Sequence, residues 1–257
     1  MNRPRAASSW IGAVVLGVAC TLLGQGAGTA ADNKGSSLPP ADYVRLVEPS
    51  VKVTVDALGG EVTRRSAEKA RVAMVMLAAF AQYDLSGTDG AQRATLRDAA
   101  LDTAARIKDK KYAEAVTQAK GLTKVAANPQ ARKEKVKLLG PVVDVDELMS
   151  QFRAPDKGGL DIENLFDKLA GVADGQLPAA ALNDDLRLTA YRTAVAAELC
   201  KEHTPPQKAP LWQKLSDEMR LQAVRLAEAV QAKDGKAAFQ AVEKLNASCN
   251  HCHREFR

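Results

Sequence analysis

The chain has 257 residues, 46% of them apolar and only 4% aromatic, with 36 Lys and Arg against 31 Asp and Glu. That length allows one large domain or two small ones; the charge balance itself says little about nucleic acid, whose binders gather basic residues on one face, and none is expected as a partner. Ala-rich segments, few aromatics and few β-branched runs read as all-α, with mixed charges such as those of residues 61–71 (EVTRRSAEKAR) on solvated helix faces.

The first element in chain order is a leader, not part of the fold. Arg3 and Arg5 precede a 13-residue apolar run, Ile11 to Leu23, and Gly24 to Ala31 supply small residues for cleavage after Ala30 or Ala31. The run is short for a bilayer span and no second one follows, so residues 1–31 read as a signal peptide and not as an anchor. Cys20 would suit a lipid anchor, but Gly17 stands where a lipobox wants Leu. The chain is therefore expected in the periplasm with no membrane span after cleavage, keeping 34 basic and 31 acidic residues over about 226 positions.

Residues 32–40 are a polar lead-in ending in two prolines. Apolar residues at helical spacing then predict helices over about 41–57, 61–84, 91–108 and 110–126. Two short helices follow at 144–152 and 160–171, and three long ones at 182–203, 209–232 and 235–254. In the second of these, Ala70, Met74, Leu77 and Phe80 mark one buried face. The two halves look alike. Lys108-Asp109-Lys110-Lys111 recurs as Lys233-Asp234-Gly235-Lys236, 125 residues later, and Leu101, Ala104 and Ala113 match Leu226, Ala229 and Ala238. The organisation predicted is a helical domain over 32–126, a linker over 127–143 holding Pro129, Gly140 and Pro141, and a second helical domain over 144–257. One continuous larger domain is the competing architecture.

The chemistry sits in residues 249–253, CNHCH, a C-x-x-C-H motif. Each thiol can add across a vinyl group of a haem, and the histidine then lies beneath the iron as its proximal ligand. On a helix Cys249, Cys252 and His253 fall at i, i+3 and i+4, on the same face as Ala238, Ala241, Val242 and Leu245. Three other readings compete: coincidence, a thioredoxin-like dithiol, which expects a βαβ context, and a zinc site using His251 or His253. Two Cys and two His within five residues make a poor tetrahedral shell, and no second Cys/His pair lies nearby.

From Leu211 to Arg257 the chain resembles the last two helices of cytochrome c-prime and its low-spin c556-type relatives, four-helix bundles whose haem motif near the chain end continues as C-H-x-x-[FY]-R. Here that continuation is His253-Arg254-Glu255-Phe256-Arg257. The resemblance covers roughly residues 144–257. It implies one covalent haem c on the last helix of a four-helix bundle; the N-terminal half departs from the family pattern, and if it is a second, duplicated helical bundle it carries no covalent haem. Positions 123–128 (TKVAAN), where the repeat would place a second motif, hold no Cys or His. The resemblance also implies that Met149, on the first helix of the bundle, is the sixth ligand, as in c556-type proteins. Cytochromes c-prime carry an apolar blocker there instead. Arg257 is placed beside the proximal haem face, against His253 or a propionate.

Cys200 reads as a small buried hydrophobe, His203 as a solvated helix end, and Met219, Trp212 and Tyr191 as packing. No phosphate loop or nucleophile elbow is present, so no enzyme is expected. Three functions remain open: an electron carrier passing electrons to redox partner proteins, a five-coordinate protein binding small gases such as NO or CO, and an interaction module. A homodimer is compatible with each.

Overall fold

Short polar side chains cap the starts of three of the helices. In the computed structural model, which describes residues 40–83, 85, 88–140 and 142–256, nine α-helices run through the described residues and no strand does. The leader expected over residues 1–31 and Arg257 lie outside the described residues. The helices are α1 (Pro40–Leu58), α2 (Arg64–Gln82), α3 (Gly90–Lys108), α4 (Tyr112–Gly121), α5 (Val145–Ser150), α6 (Ile162–Ala170), α7 (Asp184–Cys200), α8 (Ala209–Gln231) and α9 (Gly235–Phe256). Thr63 caps α2 and Asp144 caps α5 in reciprocal capping boxes with Ser66 and Glu147, while Asn183 accepts from the Leu186 N–H at the start of α7. Pro210 enters α8 in its first turn, where a missing N–H costs nothing.

The helices form two sets. Helix α1 packs on α2, α2 on α3 and α3 on α4, and α4 returns to α1. In the second set α7 packs on α8, α8 on α9, and α6 against α9. The sets meet where α7 lies on α2, with α5 touching both. Met74, Leu77, Ala100 and Ala104 are fully buried in the first set, as are Ala190, Leu226, Ala227, Val242 and Leu245 in the second. Each buried Leu contributes roughly 1.5–3 kcal/mol. The alanines let helices approach closely.

The same backbone turn ends a helix in each set, in a register different from that of the charged run. Lys110 and Lys233 both take left-handed conformations, at φ 61° and 57°. The Lys111 N–H bonds to the Arg106 carbonyl and the Lys110 N–H to that of Ile107; likewise Asp234 bonds to Ala229 and Lys233 to Val230. These are two Schellman turns, 123 residues apart, not the 125 that the charged run gives. Lysines matched there by charge are not the lysines that share a conformation. In this register the haem-motif positions correspond to 126–130, beyond the end of α4, and they too hold no Cys or His. Helix α4 is also shorter than the 110–126 predicted, because the left-handed Lys110 delays its start and a 3-10 turn at Leu122–Lys124 ends it.

Residues 127–143 lack helix but are held closely. The fully buried Arg97 guanidinium donates to the Arg132 and Glu134 carbonyls at 2.7 and 2.6 Å. The Gln82 amide bonds Val136 in both directions, and the Glu202 carboxylate accepts from the Leu138 and Leu139 N–H groups at 2.7 and 2.8 Å. Charged hydrogen bonds of this kind are worth about 1.5–3 kcal/mol each. The segment is strapped onto both helix sets.

Candidate functional site

Helix α9 presents Cys249, Cys252 and His253 on one face, continuing the buried line of Ala238, Val242 and Leu245. All three line a cleft of about 1080 Å³, counted out to open solvent at its mouth. Its other walls come from α5 and the turn after it (Met149, Phe152, Arg153), α6 (Glu163, Phe166), the end of α7 (Cys200) and α8 (Trp212, Leu215, Met219).

What brings α5 and α6 to the same cleft is a tight reversal between them. The Leu160, Asp161 and Glu163 N–H groups bond to the Gln151, Arg153 and Phe152 carbonyls at 2.7, 2.9 and 3.0 Å. Gly159 permits this, because a Cβ there would stand 1.9 Å from the Arg153 carbonyl oxygen. Glu147 caps α5 through the Asp144 N–H and also pairs with Arg71 of α2, fixing α5 from outside the cleft.

The cleft is lined by sulfur and apolar groups. Cys249 and Cys200 both have thiol pKa values pushed up to about 12, first by burial and then by Cys252. Cys249 also feels Glu163 and Asp167. These thiols are neutral at ordinary pH. Met149 Sδ stands 3.9 Å from Cys200 Sγ. Trp212 donates its indole N–H to the Cys200 carbonyl at 2.7 Å and meets Phe256 edge-on, with ring centroids 5.0 Å apart. On the α6 side, Glu163 Oε1 lies 3.6 Å from His253 Nδ1.

The residues suit a haem bound through its edge. Two thiols and an imidazole share one helix face, Met149 and Met219 line the same space, and aromatic and aliphatic side chains form much of its wall. Arg153 is a cation lining the cleft, suited to a carboxylate at its mouth.

Residues 207–257 match the family model of cytochrome C'. The C-terminal region is cytochrome C'-like. The match spans α8 and α9, 51 of 257 residues, and supports a c-type cytochrome, a haem protein, built on an all-α bundle. No curated protein and no solved structure matches the chain.

Of the residues singled out in the sequence, Cys249, Cys252, His253 and Met149 come together in the cytochrome C'-like region's cleft, and Arg257 is not described. Cys200 and Met219 are buried, as packing residues should be, yet both line the cleft. Tyr191 is buried, and the exposed His203 stands outside the cleft lining, its ring 5.5 Å from Trp212. Sequence reasoning missed Glu163 altogether. The available signal was a carboxylate pair, Glu163 and Asp167, one helical turn apart and flanking Phe166.

Proposed function

We propose that the chain is an exported, periplasmic monohaem c-type cytochrome that passes electrons to partner proteins. One haem would be held by thioether bonds to Cys249 and Cys252, and His253 and Met149 are the residues that would ligate its iron. The observation that carries this is the convergence of α5 and α9, nearly a hundred residues apart in sequence, on one sulfur-lined cleft. When bound, the haem supplies a one-electron Fe(II)/Fe(III) couple.

The chain's residues do the rest. Cys249 and Cys252 would hold the haem by adding across its vinyl groups, each S–H giving its sulfur to one vinyl carbon and its hydrogen to the other, with no net redox change. Nδ1 of His253 faces Glu163, so Nε2 is the nitrogen that would bind the iron. Phe152, Phe166 and Leu215 supply apolar wall to the site. Export fits the family, whose members are typically exported, and no helix among the described residues is long and apolar enough to cross a membrane.

A second reading has support of its own, because the family matched is cytochrome C', whose distal site is blocked by an apolar group and left open to gases. Absorption spectra of the haem-loaded protein, oxidised and reduced, separate the two. We expect low-spin iron in the wild type, and high-spin iron with CO binding gained in Met149→Ala. Wild-type iron that is already high-spin would overturn electron transfer through a Met149 ligand and favour gas binding.

A further inference from the structure

We infer that Glu163 is a positioning residue for the proximal imidazole: it holds His253 through Nδ1–H and makes the ring a more basic ligand. This rests on the haem reading above but not on the choice between electron transfer and gas binding.

The geometry begins with α6. Ile162 and Phe166 are buried at 2% and 1% exposure, so the helix is seated by its apolar side. Its first turn is tied to the end of α5 by the Glu163 N–H to Phe152 carbonyl bond at 3.0 Å. Glu163 is thus delivered by a packed helix and not by a loose loop, and α6 packs directly on α9. The carboxylate reaches His253 Nδ1 at 3.6 Å, an ion-pair separation that a small rotation of either side chain closes to a hydrogen bond. Among the described residues no Lys or Arg pairs with Glu163; the group facing its carboxylate is the His253 ring.

A histidine that binds metal through one ring nitrogen nearly always donates the other N–H to a carboxylate, carbonyl or water. That partner fixes the tautomer, holds the ring plane and raises basicity. A more electron-rich imidazole stabilises the ferric state more than the ferrous. Glu163 therefore lowers the reduction potential. Its side chain is 39% exposed, so solvent damps the effect.

Asp167 provides the control. It lies one turn along α6, carries the same charge and acts on Cys249, whereas it is the Glu163 carboxylate that stands 3.6 Å from His253 Nδ1. A pure charge effect would follow both residues. A positioning effect follows Glu163 alone.

The test compares Glu163→Gln and Asp167→Asn in the haem-loaded protein by redox titration, and by proton NMR of the hyperfine-shifted His253 ring resonances. Outer-shell partners are worth ~10–100-fold, and partial exposure places Glu163→Gln at about tenfold in the ferric-to-ferrous ratio. That is a rise in potential of about 59 mV for one electron. The His253 resonances should move in Glu163→Gln and stay in place in Asp167→Asn. Equal potential shifts in both variants with unmoved resonances would overturn the inference while leaving the haem reading intact. A wild type that carries no haem would defeat the haem reading, and this inference with it.

Discussion

The two helix sets follow the same order and share the same Schellman turn, yet only the second is lined for chemistry. The difference lies at the far end of the last helix. Helix α4 has 10 residues and α9 has 22, about 15 against 33 Å of helix at 1.5 Å per residue. Cys249, Cys252 and His253 occupy the stretch that α4 lacks. In the first set the corresponding residues 126–130 have left the helix, and the Asn128 N–H bonds to Thr95 Oγ1 at 2.9 Å. A site has been placed where the repeat stops being a repeat.

The comparison breaks most completely at the two cysteines. Replacing Cys249 and Cys252 together with Ala should remove every haem that survives acid-acetone extraction and denaturing electrophoresis. Haem retained through those treatments would place the attachment elsewhere. A smaller test concerns the first set, whose buried polar groups are structural. Arg97→Met strands the Arg132 and Glu134 carbonyls and should cost about 3 kcal/mol in denaturant unfolding, with the haem absorption spectrum unchanged. A shifted spectrum would mean that the strap over residues 127–143 also shapes the cleft.

How far the sequence led depends on whether the deciding signal was local. Helices α3, α8 and α9 lie within two residues of their predicted ends, because apolar spacing and the breaks at Asp109 and Asp234 are features of neighbouring residues. The C-x-x-C-H motif is equally local, since one helix turn sets its geometry. Residues 127–143 read as a linker from Pro129 and Gly140, yet Arg97, Gln82 and Glu202, all distant in sequence, hold them down. Glu163 escaped for the same reason. Nothing beside it shows that the α5–α6 reversal aims it at His253. The register of the repeat failed differently, because charge identity was read as alignment where backbone hydrogen bonding decides it.

The smallest effect tests the turns themselves. Lysine at positive φ is strained, so Lys110→Gly and Lys233→Gly should each stabilise the fold, by roughly 0.5–1 kcal/mol, in thermal unfolding. Equal gains would confirm that the two turns are equivalent at a 123-residue spacing. A loss at one alone would show that its lysine side chain does more than fill the turn, as the Lys233 bond to the Leu182 carbonyl allows.

The placement of Trp212 has an optical consequence. The sequence holds two tryptophans, Trp10 within the expected leader and Trp212 on the wall of the cleft. After leader removal, all indole emission would come from this one position. A chromophore absorbing in the near ultraviolet and seated against Cys249 and Cys252 would lie within easy range for energy transfer from the indole. Intrinsic fluorescence is therefore a built-in gauge of loading, bright in the empty chain and quenched in the filled one. It can follow haem incorporation in real time without a label.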